Sequence, residues 1–179
     1  VLNRSPMSIT SNVNFVKKVV FPLELLAWVT ILSALFHFVL ALGVLFAFVL
    51  FTGQGIPVTA VSLPLVLAPF LLLALGVAWF LASLGVYIRD VSQVTGLIAT
   101  ALLFLSPILY PLSAVPEPYR NLLLLNPLTH VVVESRNLLM VGQWPQPGPL
   151  FVYWLISLAV CWLGYAWFQK TRGGFADVL

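Results

Sequence analysis

The chain has 179 residues, of which 61% are hydrophobic and only 7% are Asp, Glu, Lys or Arg. Soluble domains run at about 45–50% apolar and about 25% charged, so a soluble enzyme, a disordered segment and a nucleic-acid-binding domain are excluded, and no nucleic-acid partner is expected. The formal charge of +3 comes from 8 basic and 5 acidic residues, too few for a basic patch. With a mean hydropathy of +1.09, the composition is that of an integral membrane protein.

The chain starts at Val1, and nothing upstream of Ser8 resembles a signal peptide, so it is expected to be a fragment or a processed chain. The segment over 8–22 is amphipathic and basic. It reads as a short juxtamembrane helix whose Lys17 and Lys18 snorkel to lipid phosphates, with Pro22 marking a kink before the first apolar run. From 25 to 88 there is no charged residue. At 1.5 Å per residue, roughly 20 apolar residues cross a hydrocarbon core of about 30 Å, so this run holds two crossings. The Gly/Pro cluster from Thr52 to Pro57 divides it into helices over 26–51 and 62–87. Ala74, Ala78 and Ala82 repeat at four-residue spacing in the second, a small-residue ridge suited to close helix approach.

The next apolar run predicts a third crossing over 94–112. Its Ser106-Pro107 and Tyr110-Pro111 steps bend the far end and free backbone carbonyls, which is tolerable only beside water or other helices. A structural kink and a pore-lining stretch are both compatible with that. The connection that follows is apolar but too short to cross. Pro118 and Pro127 suit first-turn positions and Asn126 is a good N-cap, so two short helices are predicted over 118–125 and 127–140, ending near Gly142. They form either a re-entrant hairpin or an amphipathic pair on the membrane surface. Leu150 to Phe168 supplies the fourth crossing, with Tyr153, Trp154, Tyr165 and Trp167 near its interfaces. Four crossings put both ends on one side. That side carries Arg4, Lys17, Lys18, Arg89, Lys170 and Arg172, against Arg120 and Arg136 opposite, so both termini are expected in the cytoplasm.

Site chemistry is sparse. The lone Cys161 makes no intrachain disulfide. His130 and Glu134 form an i,i+4 pair, but two groups make a poor metal site, and no nucleophile–base arrangement is present. No catalytic residue, metal ligand or cofactor site is expected. The nearest approach to a phosphate loop, Gly164 to Thr171, has Gln169 where a second glycine is needed. The predicted spans contain no charged residue, which argues against an ion-coupled carrier. Active transport would need a partner to hydrolyse ATP.

Five motifs in one order resemble the permease subunits of type-2 ABC exporters, in particular those for O-antigen, teichoic acid or capsular polysaccharide. They are Lys17-Lys18-Val-Val-Phe21-Pro22-Leu-Glu24, Val86-Tyr87-Ile88-Arg89-Asp90-Val91, Ser106 to Pro111 with Val115-Pro116, Leu125 to His130 with Glu134, and Gly174-Phe175-Ala176-Asp177. The likeness covers nearly the whole chain, but full permeases of this family have six membrane helices, and the first two are not matched here.

The resemblance implies an all-α polytopic bundle: a partial type-2 transmembrane domain over 1–179, with a cytoplasmic coupling helix at 8–22, four crossings and an external gate hairpin at 118–140. It implies ATPase-coupling residues Lys17, Lys18, Phe21, Pro22, Glu24, Tyr87, Arg89 and Asp90, and external-gate residues Pro116, Glu117, Asn126, Pro127, His130 and Glu134. Thr100, Phe104, Ser106 and Tyr110 are candidates for the channel wall. The implied protein is non-enzymatic and multi-pass in the bacterial cytoplasmic membrane, among membrane lipids. It pairs with a second copy and with an ABC ATPase dimer that binds ATP and Mg, and it exports a lipid-linked polysaccharide. A type-2 permease for drugs or other lipids, and a membrane assembly protein without transport, are the alternatives.

Overall fold

A computed structural model describes residues 1–17, 21–53, 55–108, 110, 114–124 and 126–179. Every regular element among them is helical. In chain order these are α1 (Val13–Lys17), α2 (Leu25–Phe51), α3 (Leu63–Tyr87), α4 (Val91–Phe104), α5 (Glu117–Leu124), α6 (Pro127–Arg136), α7 (Pro147–Thr171) and α8 (Phe175–Val178), joined in places by short 3-10 turns. Among the described residues, three helical stretches are long and apolar enough to cross a membrane: Leu25–Phe51, Val58–Tyr87 and Pro147–Val178. The chain is a polytopic membrane helix bundle.

α3 is the central element. Its buried side recurs every three to four residues, from Leu63 and Val66 through Leu75, Ala78 and Trp79 to Val86, and α7 packs along it. The alanine ridge is buried, in one cluster with Ala27 and Ile31 of α2. The closest approach lies two residues away, at Gly76. A Cβ there would stand 2.5 Å from the Val160 carbonyl oxygen, and a Cβ on Gly164 would fall on the Gly76 carbonyl. Only hydrogen at both positions lets the two backbones meet.

Two expected elements differ. The third crossing, predicted over 94–112, is α4, a 14-residue helix from Val91 to Phe104. It is roughly 21 Å long, short of the hydrocarbon thickness. Pro107 has no N–H to give the Leu103 carbonyl, which instead takes a 3.3 Å bond from Ser106 N as the helix tightens and stops. Of the single helix predicted over 8–22, residues 18–20 lie outside the described residues, and the described part before them holds 3-10 turns at Ser5–Met7 and Thr10–Asn12 followed by α1. Polar side chains there bond back onto the backbone: Ser8 Oγ to the Ser5 carbonyl (2.7 Å), Ser11 Oγ to Met7 (2.6 Å), Asn12 Nδ2 to Ser8 (2.9 Å). Such bonds compete with a regular helix. This amino-terminal turn seats on the end of α3, where Gly85 leaves room for the Pro6 carbonyl.

Candidate functional site

Polar chemistry gathers at the two ends of the bundle. At the end that holds both termini, the buried Phe168 and Phe175 meet edge to face at 5.7 Å, and Ile9 and Val86 join them in the core. Tyr87 packs on Phe175 at 6.0 Å and donates its hydroxyl to the Thr171 carbonyl at 2.8 Å. Gly174 keeps that seat open, since a Cβ there would stand 2.8 Å from the Tyr87 oxygen. The Tyr87 turn, the end of α7 and the tail are therefore one packed unit. Beside it, Glu24 heads α2. Its carbonyl accepts from Trp79 Nε1 (3.1 Å), and its Oε1 accepts from Arg172 Nη1 (2.9 Å) and Gln169 Nε2 (3.1 Å).

The remaining coupling candidates lie around this unit. Phe21 stacks on Phe15 at 4.8 Å, and the exposed Pro22 accepts the Leu25 N–H through its carbonyl. Arg89 and Asp90 are exposed at the α3–α4 turn, where Asp90 accepts from Gln93 N and Val94 N through its carbonyl. Arg89 also borders a cavity of about 480 Å³ shared with Met7, Tyr87 and Leu179. Lys17 closes α1, and Lys18 lies outside the described residues.

At the other end, the hairpin answers the backbone groups that the early stop of α4 leaves open. Asn126 caps α6 by accepting the Leu128 N–H at 3.0 Å, while its amide donates to the carbonyls of Leu102 (3.0 Å) and Leu105 (3.2 Å). Arg136 Nη2 reaches the Pro107 carbonyl at 3.0 Å and the Ile108 carbonyl at 3.4 Å. Tyr110 donates its hydroxyl to the Phe104 carbonyl at 3.0 Å. A broken helix end inside a membrane protein needs such partners, and here three side chains supply them to five carbonyls.

The hairpin is in turn fixed to α7 and α3. Tyr153 donates to the Pro127 carbonyl at 3.2 Å and packs against the His130 ring at 4.8 Å, and Thr59 donates to the Leu138 carbonyl at 2.6 Å. Burial holds the His130 imidazole below its ordinary pKa, and Glu134, one helical turn away, opposes that only in part. Gly142, at φ +72°, adopts the left-handed conformation that ends the hairpin after the π-helical Asn137–Val141. Pro116 and Glu117 are exposed at the entrance to α5. Of the candidate channel residues, Thr100 and Phe104 are exposed, whereas Ser106 is fully buried.

The arrangement thus ties Asn126, Pro127 and His130 to the end of α4 and to α7, and Glu24 and Tyr87 to the end of α7. Arg136, Tyr153, Trp79, Gln169 and Arg172 complete both clusters, and none is among the coupling, gate or channel residues expected from the sequence. Two signals could have found them: a carboxylate at the border of an uncharged run needs a cation, and carbonyls freed by proline need donors. Among the described residues, no group of three or more His, Cys, Asp or Glu side chains is placed to hold a metal ion.

These features define a multi-pass helical membrane protein with an interrupted helix capped by a hairpin. The sequence pattern of the ABC-2 type transporter family matches residues 1–140, and the chain belongs to that family. It is 27% identical over 172 residues to the O-antigen export system permease protein RfbA of Myxococcus xanthus, across 95% of this chain and 66% of that relative. A permease of the same name from Klebsiella pneumoniae is 24% identical over 183 residues, across 98% of this chain and 68% of the relative. The polysialic acid transport protein KpsM of Escherichia coli is 30% identical over 122 residues, 68% of this chain and 47% of its own length. The chain spans about two thirds of the length of the first two relatives.

Proposed function

We propose that the chain is the membrane-embedded part of a permease subunit in an ATP-driven exporter of a lipid-linked cell-surface polysaccharide. The observation that carries this reading is the likeness along 95% of the chain to a relative named as an O-antigen export permease. The basic residues concentrate at the end holding both termini, which supports a cytoplasmic position for that end by the positive-inside rule. The ATPase subunits, which bind ATP and Mg, then dock on the surface formed by the amino-terminal segment, Tyr87, Arg89 and Asp90. Two copies of the permease enclose the route. The hairpin with Asn126, His130 and Glu134 lies over its outer mouth, and the exposed stretch with Thr100 and Phe104 faces the passage. Spans free of charged side chains suit a conduit driven from outside, because a sliding polymer needs no titratable carrier site.

Deleting the gene in its own host tests this. The expected result is loss of surface polysaccharide, accumulation of the lipid-linked glycan inside the cell, and recovery of both on complementation. Unchanged surface glycan together with altered efflux of drugs or other lipids would transfer the protein to the alternative substrate class.

A further inference from the structure

We propose that Gln169 and Arg172 are positioning residues that set the tilt of α2 through Glu24, so that the start of α2 is a hinge driven from the carboxy-terminal tail; the transport part of this statement rests on the function proposed above. α2 has 27 residues, and its buried ones are Ala27 and Ile31, both in the first two turns. Farther out no residue of α2 is fully buried, and the partly buried Leu42 packs against the cluster of Leu63, Val66, Leu138 and Leu150. The outer half presents Val39, Val44, Phe48 and Phe51 as exposed side chains. Lipid chains are as apolar as these side chains, so packing in a bilayer gives such a helix no hydrophobic drive toward its neighbours. Its direction is therefore set where polar bonds hold it.

Those bonds converge on one residue. Trp79 of α3 holds the Glu24 backbone, and Gln169 of α7 and Arg172 of the turn that follows it hold its carboxylate. The other carboxylate oxygen, Oε2, is buried and has no hydrogen-bond partner among the described residues. Among the described residues, the two donors on Oε1 carry the compensation for that charge, and the loss of Arg172 would leave the partly buried carboxylate with one amide among them. Arg172 is itself placed by the tail, because Thr171 and Phe175 on either side of it are fixed by Tyr87 and Phe168. A shift of the Tyr87 turn or of the tail consequently moves the guanidinium, and the guanidinium moves Glu24. From there α2 acts as a lever of roughly 40 Å, and a tilt of about 5° carries its outer end by roughly 3.5 Å.

The experiment uses the permease in nanodiscs with its ATPase, in four forms: wild type, R172E, E24R and the reciprocal pair E24R/R172E. Spin labels at Phe48 and Leu155, both exposed to lipid, report the spread of distances between the outer half of α2 and α7. The expected result is at least a two-fold broader distribution in R172E and in E24R, narrowed again in the reciprocal pair. Glycan exported per ATP hydrolysed should fall at least ten-fold in the single variants, with hydrolysis within two-fold of wild type, and recover at least in part in the pair. An unchanged distance distribution in R172E overturns the hinge, as does a reciprocal pair no better than either single variant. The distance measurement is independent of activity. A wild type that exports no glycan would sink the proposed function while the hinge still stands or falls on the spin-label result.

Discussion

The meeting of α3 and α7 at Gly76 and Gly164 allows a quantitative test of what holds the bundle together. In G164A the new methyl group falls on the Gly76 carbonyl oxygen, with the carbonyl carbon at 2.6 Å and Cα at 2.8 Å. These atoms are backbone, so no rotamer change relieves the overlap. Ordinary contact begins at 3.4 Å, and clearing the carbonyl oxygen, the nearest of these atoms, requires the two helices to separate locally by about 1.3 Å. A gap of about 0.5–1 Å forfeits a quarter to a half of the dispersion energy of each atom pair it opens, and in lipid such packing is a main source of helix association. Overpacking of this kind costs about 1–3 kcal/mol, against a gain of about 1 kcal/mol for alanine over glycine inside a helix.

G164A should therefore destabilise the protein by up to about 2 kcal/mol, read as reversible unfolding in mixed detergent micelles followed by circular dichroism. G43A is the control, because a Cβ there meets nothing within 4 Å, and it should be neutral or stabilising by up to about 1 kcal/mol. The double variant G76A/G164A should cost less than the sum of its parts, since one separation of the helices accommodates both methyl groups. A G164A protein as stable as G43A would refute the close crossing.

Two further predictions concern the hairpin. N126A removes the cap of α6, worth about 1 kcal/mol, together with two amide bonds worth about 0.5–1.5 kcal/mol each, so a total loss of about 2–4 kcal/mol is expected in the same unfolding assay. N126D keeps the cap oxygen but loses both donors to Leu102 and Leu105, and should lie between wild type and N126A; equal stability of N126D and wild type would show that the bonds to α4 contribute nothing. The pH dependence of His130 follows from its lowered pKa. The unfolded imidazole takes a proton near pH 6.5, while the folded one resists until a lower pH. Stability is thus complete above about pH 6.5 and is lost as pH falls through the folded value. Hydrogen exchange of the α6 amides, corrected for intrinsic rates, should speed up between pH 7.5 and 5.5 in wild type and stay level in H130N. An equal pH response in both would assign the effect to another group.

The parts of this structure legible in the sequence are those governed by local rules. Long uncharged runs produced α2, α3 and α7, because a backbone in lipid must satisfy its own hydrogen bonds over some 20 residues. Asn126 before Pro127 announced the start of α6 for an equally local reason, the cap bond to an amide two residues on. The extent of α4 was not legible by apolarity, which continues past Phe104. Its end depends on Pro107 and on donors from Asn126 and Arg136, 21 to 29 residues downstream. The Glu24 junction is farther still from local rules, since its partners at the end of α7 and in the turn after it lie 145 and 148 residues away. Gly76 and Gly164 are two among 11 glycines, and spacing alone does not separate them from Gly43 or Gly96, which have open space around them.

The distribution of these contacts divides the bundle mechanically. α3 and α7 are locked along their length by backbone contact at the glycine crossing, and no apolar repacking can separate them without reopening that surface. α2 and α4 are attached differently. α2 is buried at its first two turns, and α4 buries only Val91 and Thr95 near its start. At its far end, α4 is held through carbonyls that bond to the hairpin. Between those points, both helices expose apolar side chains for which lipid is as good a neighbour as protein. Displacing either helix along the membrane therefore costs little in burial, and the cost concentrates in a few polar bonds: the Glu24 cluster for α2, and the Asn126 and Arg136 cluster for α4. A small change at either end of the rigid α3–α7 pair is in this way converted into movement of the helix it holds, at the opposite side of the bilayer for α2 and together with the hairpin for α4. Substitutions at these polar junctions should accordingly affect transport far more than substitutions of equal size on the exposed faces of α2 and α4.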